Sequence, residues 1–388
     1  MQLPTRSPED AGLDPAALEA GWAAVVDHTR PRPDGPPLYP GAVLLDGVRG
    51  AVVLHRATGE VRRYAHADGT LLPAAERVAT RPDTIFDLAS ISKLFTSIAT
   101  VQQVDAGLLD LDRPVVGYLP EFARGDDGVP GKAGITVRML LTHTSGFPAF
   151  LPFWRDHPDP DSRAHAVLTA RLVSAPGTAY CYSDLNLITL GLLLHRLTGR
   201  PLDALVADGI TGPLGMRDTG YAPDPALRSR IAPTEEETDP PRGVVWGEVH
   251  DENAWSFAGV AGHAGVFSTA ADLAVLAQVI IEDGALDGVR ILSADAVRRM
   301  TTNENTGFPG HDHGLGFEID QPWYMGRLSG PRTVGHTGFT GTSLVIDLGA
   351  GAFVVLLTNR VHPSRSWGTI NPARVAAADA LADALARR

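Results

Sequence analysis

The sequence predicts an α+β fold in which an antiparallel sheet, flanked by the N- and C-terminal helices, carries an inserted, mostly helical subdomain. Three observations predict it. β-rich runs gather towards the two ends of the chain, helical periodicity dominates the stretch between them, and each terminus carries an amphipathic helix. The sheet part is expected from residues 1–107 and 266–388 and the helical part from residues 108–265, with a cleft between them.

The first helix starts at Asp14 as N-cap with Pro15 in its first turn, and Leu18, Trp22 and Val25 recur at helical spacing as core. Ala42–Leu45, Ala51–Arg56 and Val61–Ala65 read as a meander, with Asp46-Gly47 and Thr58-Gly59 as its turns. Phe86–Ala89 leads into a helix from Ser90 to about Asp105, with Phe95, Ile98, Ala99 and Val101 on its apolar face and Gly107 at its end. Helical blocks follow at Thr136–Thr142 and Leu185–Leu197, the latter closed by Gly199 and Pro201. Pro223–His250 has no periodicity and reads as a long loop or lid. Ser268-Thr269 opens a helix carrying Leu273, Leu276, Val279 and Ile280, and another spans Ser293–Met300. Gly314–Ile319, Thr342–Asp347 and Ala352–Thr358 are strands, the last two joined as a hairpin through Leu348-Gly349-Ala350-Gly351. Asn371-Pro372 caps a final helix with Val375, Ala378, Leu381 and Leu385 on one side.

At 388 residues, 44% of them hydrophobic and 20% charged, the chain can bury a large core. A net charge of -12 repels phosphate backbones, so no nucleic-acid partner is expected. No run of eighteen apolar residues is present, and Met1–Ser7 lead straight into polar sequence; the expectation is a cytoplasmic protein with no membrane partner. The single cysteine, Cys181, allows no internal disulfide and reads as a packed thiol. Nothing in the sequence specifies an oligomeric state.

Ser90-Ile91-Ser92-Lys93 falls where a strand-like segment turns into a helix, which puts Ser90 at a helix start and Lys93 one turn later on the same face. Backbone N–H groups there can stabilise an oxyanion, and a neighbouring ammonium lowers the cost of deprotonating the hydroxyl. By itself Ser-x-x-Lys is a weak signal. Two further elements follow in order: Tyr180-Cys181-Tyr182-Ser183-Asp184 at a helix entrance, and Gly335-His336-Thr337-Gly338 ahead of the last hairpin.

With these three elements the chain resembles the serine β-lactamase and penicillin-binding-protein superfamily, and within it the class C β-lactamase, D-aminopeptidase and carboxylesterase branch. Leu141-Thr142-His143-Thr144-Ser145-Gly146 and the Gly259–Ser268 segment add to the likeness. The resemblance implies a β-lactamase/transpeptidase-like fold, with Ser90 as nucleophile, Lys93 as its proton partner and Tyr182 as the base that also protonates the leaving group. It implies an oxyanion hole from the N–H groups of Ser90 and Phe339, and substrate-binding positions at Asp184, His336, Thr337 and Gly338. No cofactor is required, since the side chains supply nucleophile and base.

Two departures bear on substrate. Asp184 stands where the superfamily often has Asn; its carboxylate favours a protonated Lys93 and repels an anionic group. His336 replaces a lysine common in true β-lactamases, so a standing positive charge is lost. Both point to small neutral esters or amides and an esterase-like serine hydrolase. The alternatives are a true β-lactamase, a D-alanyl carboxypeptidase or D-aminopeptidase acting on lactam or peptide, an acyltransferase, or a penicillin-binding sensor that does not turn over.

Among the thirteen histidines, His250-Asp251-Glu252 and His311-Asp312-His313 lack the two-histidine spacing of a zinc hydrolase, and no metal is expected. His143 and His263 read as loop-satisfying or cleft-lining residues. Gly259, Gly262 and Gly265 lack the ending of a phosphate loop, and no Gly-x-Ser-x-Gly elbow exists for an α/β-hydrolase.

Overall fold

The computed structural model describes residues 1–33, 35–124 and 131–386. The elements that position the site are, in chain order, α1 (Pro15–Asp27), β1 (Gly41–Val48), β2 (Ala51–Arg62), β3 (Val78–Ala79), β4 (Phe86–Asp87), α2 (Ser92–Asp105), α3 (Asp184–Thr198), β5 (Val266–Ser268), α4 (Ala270–Ile281), β6 (Glu318–Ile319), β7 (Thr333–Thr337), β8 (Ser343–Asp347), β9 (Ala352–Thr358) and α5 (Asn371–Ala386). Seven strands form one antiparallel sheet in the order β6-β7-β8-β9-β1-β2-β3, so the two ends of the chain meet at the β9–β1 pairing.

Every residue of β1 and β9 is buried, because helices cover both sheet faces. The two-residue period sorts them: Ala42, Leu44, Val354 and Leu356 pack with Leu18 of α1 and Leu381 of α5, while Val43, Leu45, Val355 and Leu357 pack with α2 and α4. Asp14 caps α1 by accepting from the Ala16 N–H. Gly21 lets α1 and α5 touch; a Cβ there would lie 2.3 Å from the Ala380 methyl. Trp22, expected in the core, is only half-buried, with the Arg56 guanidinium 5.9 Å from its ring centre. In α5 the buried face runs through Ala373, Ala377, Ala378, Leu381 and Ala384, leaving Val375 and Leu385 at its margin.

The expected meander turns are misplaced. The β1–β2 turn is Arg49-Gly50, both at positive φ (48° and 79°), the backbone a two-residue hairpin turn demands. Asp46-Gly47 lies inside β1 at a bulge, and Thr58-Gly59 lies inside β2, where Gly59 pairs with Gly41. Of the expected third strand at Val61–Ala65, Val61 and Arg62 are the end of β2 and the rest lies outside the sheet strands. Of Gly314–Ile319 only Glu318–Ile319 pairs in the sheet. Pro223–His250 is no lid: it folds into a short helix at Pro225–Arg230 and a hairpin, Glu236–Thr238 with Pro241–Val244, that buries Glu235, Glu237 and His250.

Asp46 is 1% exposed and one of its carboxylate oxygens has no hydrogen-bond partner. Burial pushes its pKa up to about 8, above the 3.8 of an open chain. The neutral acid is therefore favoured in the fold: stability is full below about pH 4, falls as pH rises towards 8, and is level above. Linkage gives a cost of about 4 kcal/mol at pH 7. Asp46→Asn is expected to unfold at higher denaturant than the parent at pH 7–8, with the gap closing towards pH 4; a gap independent of pH would contradict the assignment.

Candidate active site

Ser90 is presented by a turn that two distant segments hold in place. The Asp87 carboxylate accepts from the Ala89 N–H (2.8 Å) and from the His250 N–H (2.7 Å), and its carbonyl accepts from the Thr340 hydroxyl (2.7 Å). Ala89 sits at φ 46°, a left-handed conformation that is costly for a residue with a Cβ. A single turn of 3-10 helix, Ala89–Ile91, then runs into α2. Ser90 is half-buried, whereas Lys93, one turn on, is 1% exposed.

The Lys93 ammonium donates to Ser90 Oγ (2.8 Å) and to the His263 carbonyl (3.2 Å), and pairs with Asp184 Oδ1 at 2.8 Å. It lies 4.9 Å from the centre of the Tyr182 ring. Burial alone would favour loss of its proton, but the Asp184 carboxylate and Tyr182 reverse this and hold the pKa above the ordinary lysine value. Lys93 is thus a fixed cation. Desolvation raises the Tyr182 phenol; Lys93 pulls it down, but Asp184 adds to the rise, and the balance stays above the ordinary tyrosine value.

His143, itself at φ 59°, fixes the Tyr182 loop: its Nδ1 accepts from the Ser183 N–H (3.1 Å) and faces the Asn186 amide (3.0 Å), and its ring lies 4.7 Å from that of Tyr182. His263 does more than satisfy a loop. Its Nε2 is 2.7 Å from Asp251 Oδ1, and Asp251, which also caps the helix at Glu252–Ser256 by accepting from Ala254, is held low despite burial by His263, that cap and Lys93. The sequence flagged Asp251 only as part of a discounted metal string.

On the sheet side, Gly338 packs on the turn before Ser90: a Cβ there would lie 2.3 Å from the Leu88 carbonyl, and the Thr342 hydroxyl donates to that same carbonyl (3.0 Å). Phe339 follows, with its carbonyl taking Arg360 Nε (2.8 Å) and its half-exposed ring between His250, stacked at 5.7 Å, and the guanidinium of Arg360 at 4.5 Å. His336 is 2% exposed; its Nδ1 faces the Thr337 carbonyl at 2.8 Å, its Nε2 has no partner, and burial with the Lys93 charge pushes its pKa down to about 3. It is neutral, as the sequence led one to expect.

Two cavities meet at Ser90, Tyr182 and Phe339. One, of about 610 Å³, is lined by Phe150, Trp154, Asp184, Asp251, Glu252 and Arg365 among others. The other, of about 410 Å³, is lined by Glu318, Trp323, His336, Thr337, Arg360 and Arg374 among others. The two arginines were not foreseen. Arg374 Nη2 donates to the carbonyls of Gly338 (2.8 Å) and Thr342 (2.9 Å) while its Nε has no partner, so a cation stands in the cavity from which the missing lysine was thought to remove one. Two groups of carboxylate and imidazole have the proximity of a metal site, Asp184/Asp251/His263 and Glu235/Glu237/His250, but each already surrounds a cation of the chain, Lys93 and Arg365 respectively.

Among the described residues no helix is long and apolar enough to cross a membrane. The family model described as Beta-lactamase matches residues 37–379. An Escherichia coli strain K12 protein named "Putative D-alanyl-D-alanine carboxypeptidase" is 33% identical over 354 residues, 84% of this chain and 79% of the relative. In fold, the chain is similar to a penicillin-binding protein homologue from Caulobacter crescentus (TM-score 0.71, 22% identity, 96% of this chain and 99% of that one) and to a class C β-lactamase (TM-score 0.70, 18% identity, 93% and 96%).

Removing the Asp184 charge takes away what holds the Lys93 proton. Asp184→Asn is expected to move the alkaline limb of the kcat/KM profile to lower pH and to lower turnover at its plateau; an unchanged limb would detach Lys93 from the rate.

Proposed function

The chain belongs to the Beta-lactamase family, and from that premise we propose that this serine hydrolase cleaves a small amide or ester whose leaving group carries a carboxylate. Ser90 Oγ attacks the substrate carbonyl, and its proton passes to Tyr182 in the fraction of the site whose phenol has already released its proton to solvent, with Lys93 kept as the cation beside the tyrosinate. The N–H groups of Ser90 and Phe339 receive the developing oxyanion. Tyr182 returns the proton to the departing atom, and the acyl group left on Ser90 is then released by water through the reverse proton path. No step calls for a cofactor.

The observation that carries the reading is the unpartnered Nε of Arg374, in a residue 8% exposed, on the cavity that also holds Ser90. Burial lowers its pKa only to about 10, so the guanidinium stays charged at neutral pH and suits a carboxylate. The name of the relative points the same way, because a D-alanyl-D-alanine terminus bears a carboxylate. A second reading, an esterase acting on neutral substrates, draws support from the neutral His336 and from the exposed aromatic rings of Phe150, Trp323 and Phe339 in the two cavities.

Turnover of an acyl-D-alanyl-D-alanine peptide, its C-terminal amide and a short p-nitrophenyl ester distinguishes them. The free acid is expected to exceed its amide by about tenfold or more, the scale of one charge-assisted contact. Arg374→Gln should erase that preference, Arg374→Lys should keep part of it, and Ser90→Ala should abolish all turnover. Equal use of acid and amide beside fast ester turnover would install the neutral-ester reading. In either case Tyr182→Phe is expected to cut turnover by about 100-fold with the fold intact by circular dichroism; near-normal turnover would remove Tyr182 from the proton path.

A further inference from the structure

The cavity on the β7 side of Ser90 holds an acid as well as a base. Glu318 of β6 pairs with Gly335 of β7, and the missing side chain of Gly335 leaves room for Tyr324, whose hydroxyl would lie 3.1 Å from a Cβ there. One carboxylate oxygen of Glu318 is buried and makes no hydrogen bond of good geometry, although the Tyr324 hydroxyl, also unpaired, acts on that carboxyl; Arg374 Nε has no partner either. Glu318 and Arg374 both line the cavity, and they act on one another electrostatically without forming an ion pair. A buried donor and a buried acceptor left without good partners on the wall of one cavity are costly unless a ligand satisfies them. The cost is borne next to the nucleophile, where a leaving group sits.

We propose that Glu318 and Arg374 form a subsite for an α-amino acid zwitterion, with Arg374 taking the carboxylate and Glu318 the ammonium. The proposal rests on the carboxylate-bearing leaving group argued above and adds the amino group to it. While the amide is intact its nitrogen is neutral and Glu318 has little to bind. On cleavage that nitrogen becomes an ammonium, so the subsite is complementary to the released amino acid more than to the substrate. Burial raises the Glu318 pKa to about 7, against the pull of Tyr324, Arg374 and Lys93, which leaves a large ionised fraction at mildly alkaline pH. The free amino acid is therefore a product that lingers and inhibits.

The test is competitive inhibition, at pH 8, of Ser90-dependent p-nitrophenyl ester turnover by D-alanine and by propionate, which keeps the carboxylate and methyl group but lacks the amine. D-Alanine is expected to inhibit about tenfold or more better than propionate. Glu318→Gln should bring D-alanine down to the level of propionate without changing propionate itself, and Arg374→Gln should weaken both. Equal inhibition by the two in the parent protein, or a D-alanine preference that survives Glu318→Gln, would overturn the zwitterion subsite while leaving the carboxylate reading in place. Failure of both molecules to compete would overturn both.

Discussion

The site is organised around one buried charge. Lys93 is an ammonium removed from water, and such a group persists only where the protein supplies enough negative charge and enough acceptors to replace the lost hydration. Asp184, Ser90 Oγ and the His263 carbonyl do so directly, and Asp251 adds its field from behind His263. Those acceptors come from the turn before α2, the start of α3 and the segment before β5, so satisfying one cation also ties these three segments together. The position of Tyr182 follows, since its loop ends at Asp184 and its ring lies against the same ammonium.

How much of this was legible in sequence depends on the range over which each signal acts. Local signals read well: the Asp14 cap, the Gly199 end of α3 and the β8–β9 hairpin were each set by neighbours within a few residues. Ser90, Lys93, Tyr182 and His336 were legible because each lies in a short pattern whose order along the chain is informative. Asp46-Gly47 misled for the converse reason. The dipeptide favours a turn in isolation, but the continuous apolar run on both sides of it, buried on both sheet faces, carries the strand on through a bulge, and Arg49-Gly50 takes the turn at some cost to Arg49.

The cavity arginines and Glu318 could not be read in advance. Arg374 lies on an alanine-rich helix where a lone arginine reads as a solvated surface group, and Arg360 follows the last strand with no motif around it. Their importance comes from contacts between distant segments, such as Arg374 of α5 with the carbonyls of Gly338 and Thr342 in the β7–β8 connection, that no local pattern encodes. The reading of His336 weighed one lost charge without the arginines that the fold brings to the same cavity. Pro223–His250 was missed likewise, because it is ordered by buried ion pairs of Glu235 and Glu237 with Arg365 and Arg242, not by apolar periodicity.

The Asp87 clamp bears on how the molecule matures. Its three partners lie at Ala89, His250 and Thr340, so the turn that presents Ser90 is complete only when segments more than 160 residues apart in the chain have docked. Contacts of that separation carry the largest loop-closure cost and form late. Until they do, the strained backbone at Ala89 has no reason to hold, and Ser90 lies on an ordinary turn. A chain that is helical and compact but still unfinished would thus lack the formed Ser90 turn, which makes catalytic activity, rather than secondary structure, the stringent measure of a finished fold.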